Sequence, residues 1–384
     1  MDSAFLILAT VVVLALMFDF VNGFHDAANT ISSIVVTRTM TPLAAVIMAG
    51  CANFTGFWFG TAVAKTVGKG VVNVKMITEM GATGGVNQLL MHVLLGALCG
   101  AVVWNIFTWL LGLPTSSSHA LIGGLMGSGL ACALSLKGAA GINVVNWGTG
   151  SFSDLLNILA NGDFKKMNEL FGVKTIFAFI FIAPILGFLV ASLVTSITMW
   201  TCRKMNPKKA NRGFKVLQVI SSIFASVAHG TNDAQKSMGV IAMAMIAAHA
   251  YASDTSVVLT MDNVLDVHKW IAFSCYTAIS LGTMFGGWRI VKTMGTQITK
   301  IHPMEGFTST TAAAATISAC SSFGIPVSTT HVIAGSIMGV GSVQGVRKVR
   351  WVTARKIVWA WFLTIPATGT VAALSYLAIA TIFH

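Results

Sequence analysis

Charge is scarce in this chain, and acid most of all: 384 residues hold only twelve Asp and Glu against 24 Lys and Arg, and charged residues make up 9% of the whole. A soluble domain averages about 25%, so a water-facing exterior on all sides is excluded. The six cysteines (Cys51, Cys99, Cys132, Cys202, Cys275, Cys320) show no CxxC spacing and sit mostly in apolar stretches, which argues against a disulfide framework or a thiolate metal site. No Lys or Arg precedes the first apolar run and no small-residue cleavage signal follows it, so residues 4–18 read as part of a membrane helix, not a signal peptide. No Ser-His-Asp order or paired-carboxylate spacing stands out, and an enzyme is not expected.

What is present is apolar. Hydrophobic residues are 55% of the chain and the mean hydropathy is +0.79. Stretches such as 90–111 and 177–200 carry no charge and match the roughly 20 residues that cross a bilayer as helix. Apolar segments run over 4–37, 42–64, 88–112, 118–137, 175–200, 216–250, 270–288, 306–323, 331–346 and 357–382, ten in two sets of five. The first and sixth are too long for one ordinary span and have Gly and polar residues near the middle, which predicts broken helices; short segments such as 306–323 suit re-entrant hairpins. The fold class expected is an all-α polytopic membrane protein.

The formal charge of +12 reports orientation rather than nucleic-acid binding. With both termini outside, the inner loops hold Arg38 and the basic clusters at 203–215, 289–300 and 347–356. The outer loops hold Lys65, Lys69, Lys75, Lys137, Lys165, Lys166, Lys174 and Lys269, interspersed with Glu79, Asp154, Asp163, Glu169, Asp254, Asp262 and Asp266. Residues 201–215, rich in cations and free of acids, form the expected cytoplasmic linker between a first repeat at 1–200 and a second at 216–384.

The halves repeat each other. Gly23-Phe24-His25-Asp26-Ala27-Ala28-Asn29-Thr30 aligns with Gly230-Thr231-Asn232-Asp233-Ala234-Gln235-Lys236-Ser237 at an offset of 207 residues. Pro114-Thr115-Ser116-Ser117-Ser118-His119 aligns with Pro326-Val327-Ser328-Thr329-Thr330-His331 at 212, followed by Gly123/Gly335 and Gly127/Gly339. An odd number of crossings per half makes this an inverted repeat, whose substrate site belongs near the midplane where both halves meet.

Asp26 and Asp233 lie in apolar surroundings, where an acid costs about 2.5 to 3.5 kcal/mol on insertion scales. Asp26, Asn29, Asn232 and Asp233 therefore read as oxygen donors to a coupling cation, with helix capping as the plainer alternative; Asp19 is left open between the two. The Pro-x-Ser-Ser/Thr-Ser/Thr-His runs read as helix N-termini presenting N–H groups and hydroxyls to a tetrahedral oxyanion, through Ser116, Ser117, Ser118, Ser328, Thr329 and Thr330. Ordinary caps and packing hydroxyls are the alternative. His25, His119 and His331 are candidates for a proton relay.

With NGFHDAANTI at 22–31, GLPTSSSHALIGG at 112–124, HGTNDAQKSMG at 229–239 and GIPVSTTHVIAG at 324–335, essentially the whole chain resembles the inorganic phosphate transporter family. The resemblance implies symport of phosphate with a cation, inverted repeats, a homodimer in the cytoplasmic (inner) membrane, phosphate on the hydroxyl runs with Thr115 and Lys236 beside them, and coupling ions on the acids. His25, and Lys236 where the commoner pattern has Asn, resemble the bacterial low-affinity branch, associated with proton coupling and neutral metal–phosphate substrates; other branches use sodium. No resident cofactor and no nucleic-acid partner is expected. Beside Asp233, the Lys236 ammonium can replace one bound cation. A sulfate permease, a membrane phosphatase and a passive anion channel remain as competing readings.

Overall fold

A computed structural model describes residues 3–80, 87–162, 166, 170, 172–249 and 259–382. Of the outer-loop charges, Asp163, Lys165, Glu169 and Asp254 lie outside the described residues. The described chain is almost entirely helical, with one isolated antiparallel bridge, Val72 to Val145. The helices are α1 (Ser3–Val36), α2 (Pro42–Thr55), α3 (Ala62–Gly70), α4 (Val74–Met80), α5 (Asn87–Leu110), α6 (Ser117–Lys137), α7 (Phe152–Asn161) and α8 (Val173–Cys202). The second half has α9 (Pro207–His249), α10 (Lys269–Phe285), α11 (Trp288–Lys292), α12 (Pro303–Ser322), α13 (Thr329–Gln344) and α14 (Trp351–Ile382). Each of the ten apolar segments is mostly helix over its described residues; α4, α7 and α11 were not anticipated.

Local sequence sets the ends. Thr41 caps α2, accepting from Ala44 N at 3.4 Å, with Pro42 at the first helical position. At the start of α12, Glu305 accepts from His302 N at 3.0 Å, again beside a Pro. Among the described residues, five helices are long and apolar enough to cross a membrane: Phe5–Val36, Gln88–Leu110, Ser117–Val144, Val173–Cys202 and Trp351–Ile382. The protein is a multi-pass membrane protein. Its outward face is apolar, as lipid requires: Leu189 and Leu193 on α8 and Trp359 and Leu374 on α14 are more than half exposed.

The expected breaks in the first and sixth segments are not where the chain breaks. α1 and α9 each run as one helix, of 34 and 43 residues. The polar side chains at their middles are met by partners from other helices, so nothing requires the backbone to open. The break falls instead between Trp58 and Ala62, where the spans Pro42–Trp58 and Ala62–Gly68 bend by 80°. Gln235 of α9 fills it: its Oε1 accepts from Val63 N at 2.8 Å and its Nε2 donates to Gly60 O at 2.9 Å. Freed backbone groups at membrane depth need such a substitute.

Helix pairings are exchanged between the halves. α6 packs on α14 as α13 packs on α8, α5 on α14 as α12 on α8, and α1 on α10 as α9 on α2. The repeated glycines make these contacts close. A Cβ at Gly23 would overlap Ile279 O of α10, and one at Gly230 would overlap Asn53 O of α2. Gly127 meets Gly369 of α14, and its repeat partner Gly339 meets Phe188 of α8. Small residues at helix crossings are how membrane helices gain contact where lipid removes the hydrophobic drive. The basic stretch 201–215 joins the halves as the end of α8, a turn at 203–206 and the first turns of α9.

Candidate functional site

The middle turns of α1 and α9 lie against each other, and the buried tips of two helix hairpins, α5–α6 and α12–α13, close on them. These tips are the Pro-x-Ser-Ser/Thr-Ser/Thr runs, so all four sequence motifs converge. Asp26 on α1 receives Ser117 Oγ at 2.8 Å from the first hairpin and Thr330 Oγ1 at 3.3 Å from the second. Its Oδ1 is also 2.8 Å from His25 Nδ1. Asn29 Nδ2 donates to Thr329 and Thr330 hydroxyls at 3.2 and 3.0 Å, binding α1 to the second hairpin.

On α9, Asp233 pairs with the Lys236 ammonium, lies 3.1 Å from His229 Nε2 and accepts from Thr329 Oγ1 at 3.4 Å. Lys236 is 1% exposed. Besides Asp233 its Nζ reaches Asn232 Oδ1 and Ser118 Oγ, both at 2.5 Å, and Val327 O at 3.3 Å. Four oxygens from both halves thus surround one positive charge. A buried ion pair is tolerable only with this kind of saturation, because each unpaired ion costs several kcal/mol in the interior.

Ser116 and Ser328 act as helix caps, accepting from His119 N at 3.1 Å and His331 N at 3.2 Å. The capping alternative therefore describes the first hydroxyl of each run, and the next two turn to the acids, Asn29 or Lys236. Thr115 stands apart: it donates to Thr108 Oγ1 at 2.9 Å, and Thr108 lies 3.2 Å from His25 Nε2, forming a chain that ends at Asp26. His119 and His331 face each other, rings 4.8 Å apart, and His331 stacks on Trp361 at 3.9 Å.

His229 was missed in the sequence. Its ligand atom and those of Asp26 and Asp233 all fall within 4.8 Å of one another, a cluster fit for a cation. The signal was available: His229 aligns with Asn22, so the halves carry Asn-Gly-Phe-His-Asp and His-Gly-Thr-Asn-Asp, with His and Asn exchanged around the acid. A groove of about 1020 Å³ between α9 and α12 runs to Thr231, Gln235 and Ser321, and Ser321 accepts from Asn232 Nδ2 at 2.8 Å.

Opposed helix N-termini with hydroxyls, two buried acids and a captive lysine inside a multi-pass helical protein define a membrane transporter of small ions. A profile of the phosphate transporter family matches residues 22–212 and 201–372, and the chain belongs to that family. It is 40% identical to the "Probable low-affinity inorganic phosphate transporter" of Rhizobium meliloti (strain 1021), over 98% of this chain and 97% of that one. With the Bacillus subtilis (strain 168) protein of the same name it shares 36% identity across the full length of both. A solved structure entitled "The sodium-dependent phosphate transporter" superposes with a TM-score of 0.71 at 25% identity, covering 98% of this chain and 99% of that one.

Proposed function

We propose that this phosphate transporter imports inorganic phosphate by symport with a cation, a proton or sodium, through the centre where the two halves meet. The observation that carries the reading is the Lys236 ammonium in a cage of four oxygens, two from its own turn and one from each hairpin. It holds the place and the charge of a bound cation, so Asp233 is neutralised permanently and Asp26, with Asn29 and His229 nearby, is left for the ion that moves. Phosphate adds one or two negative charges to a low-dielectric centre, and loading the cation first offsets them. Ser117, Ser118, Thr329 and Thr330, on the first turns of α6 and α13, then turn from the acids to the anion, with the helix N-termini behind them. Lys236 is the charged contact for phosphate, and Thr115 with Ser116 and Ser328 hold the tips in shape. His25, through Thr108, is the favoured relay; His119 and His331 support the caps.

The exchanged helix pairing and the odd number of segments per half favour inverted repeats at 1–200 and 216–384, rocking against a scaffold to open inward. The chain works as a homodimer in the cytoplasmic membrane with both termini outside. Sodium fits the name of the solved relative; Lys236 lowers the number of ions required.

The experiment is uptake of radiolabelled phosphate by proteoliposomes, with proton and sodium gradients imposed separately, sulfate in excess, and divalent metal present or chelated. Uphill, sulfate-resistant uptake under one gradient is expected, and is abolished by Asp26→Asn or Asp233→Asn. Full uptake by both variants would sink the scheme. Lys236→Asn should change the charge moved per phosphate or the ion requirement.

A further inference from the structure

Asp19 is the buried acid that this coupling scheme leaves unused. It lies on α1 about two turns before Asp26, is fully buried, and accepts from Ser237 Oγ at 2.6 Å. Among the described residues no N–H or O–H donor reaches its second oxygen. The titratable groups acting on it are Asp233 and Lys236 from α9 and Cys275 and Tyr276 from α10. Lys236 is already held by Asp233, so Asp19 faces no cation of its own.

The repeat sharpens the point. At the 207-residue offset Asp19 aligns with Ser226, which merely donates to Ser222 O in its own helix. The buried middles of α1 and α9 therefore differ by two charges: Lys236 where the first half has Asn29, and Asp19 where the second half has Ser226. The two are linked, because the Ser237 that binds Asp19 follows Lys236 directly. Both added charges thus bear on the same stretch of α9, Lys236 as part of it and Asp19 of α1 through its bond to Ser237.

We propose that Asp19 carries a proton of the transport cycle in addition to the ion at Asp26: its carboxylate takes up one proton as the site loads and releases it on the opposite side. This rests on the symport reading above. A hard metal cation at Asp19 would meet one hydroxyl and one thiol instead of a shell of oxygens. A proton needs no shell, and it removes the negative charge that the interior disfavours. Acids buried in membrane helices and turned to the protein interior are the usual material of proton relays. Ser237 can accept from the carboxyl as it donates to the carboxylate, so both states keep one hydrogen bond. The change of state is passed to the turn that bears Asp233 and Lys236.

The test compares the full-length protein with Asp19→Asn and Asp19→Glu in proteoliposomes, each first checked for folding by gel filtration and thermal unfolding. Two assays are run: phosphate exchange with equal phosphate and pH on both sides, and accumulation driven by a pH gradient with proton movement recorded. Asp19→Asn is expected to retain exchange and lose gradient-driven accumulation, while Asp19→Glu recovers it. Accumulation by Asp19→Asn with as many protons per phosphate as the parent overturns the proposal. So does loss of exchange in a folded Asp19→Asn, which would put the residue in phosphate binding. If the parent accumulates phosphate with sodium alone, symport stands and the proton role of Asp19 falls; if the parent accumulates nothing under any gradient, the symport reading itself fails.

Discussion

At the scale of single residues, the centre is governed by what each buried charge would face alone. Lys236→Met leaves Asp233 in the interior with only His229 and a hydroxyl, and breaking a buried pair by removing one partner costs about 3–5 kcal/mol. Asp233→Asn strands the ammonium in the same way. Removing both charges together, as Asp233→Asn with Lys236→Met, is expected to recover most of the loss, and thermal unfolding of the four proteins in one detergent checks this. A double variant as unstable as the sum of the singles would mean that the pair is not the unit of stability. The acids and Lys236 were legible in the sequence because a charge in an apolar helix is conspicuous there. His229 was not, since a lone histidine before a glycine carries no such contrast until the i,i+4 geometry sets it against Asp233.

At the scale of helices, the close crossings rest on glycine. Gly127→Val would drive a branched side chain into the backbone of Gly369, and overpacking of this kind costs typically about 1–3 kcal/mol. Gly213, near the start of α9, meets nothing within 4 Å, so Gly213→Ala should stabilise by up to about 1 kcal/mol through helix propensity alone. Melting temperatures of the two variants should move in opposite directions. The short helix α7 offers a pH test outside the membrane spans. Ser151 and Asp154 cap it reciprocally, and the hydrogen bonds from Ser151 hold the Asp154 carboxyl below its ordinary value of 3.8. A depressed folded value means the contribution is complete above the unfolded value and disappears as pH falls through the folded one. Amide exchange at the start of α7 should therefore quicken below about pH 4 relative to neighbouring amides, after correction for intrinsic rates.

For the whole molecule, the charge bias predicts an orientation. In right-side-out vesicles, with the six native cysteines replaced, Lys75→Cys should react with an impermeant maleimide while Lys208→Cys reacts only after permeabilisation. Both lysines are exposed, so access to water is not the variable. The opposite pattern would invert the topology and place the basic clusters outside, against the positive-inside tendency.

Some of this was settled along the chain. Helical class, ten apolar segments, the repeat and its motif pairs depend on composition and spacing, which are local quantities, and the family likeness depends on the same motifs. Where helices break was not local: α1 and α9 stay whole because partners reach their polar middles, and the break before α3 exists where Gln235 of α9 satisfies the opened backbone. The division of labour within each hydroxyl run was decided likewise, for Asn29 meets Thr330 across 301 residues and Lys236 meets Ser118 across 118. Periodicity tells which side chains will be buried; which of them meet depends on how rigid helices from two halves pack, and only that packing brings the acids, the lysine and the helix starts to one point.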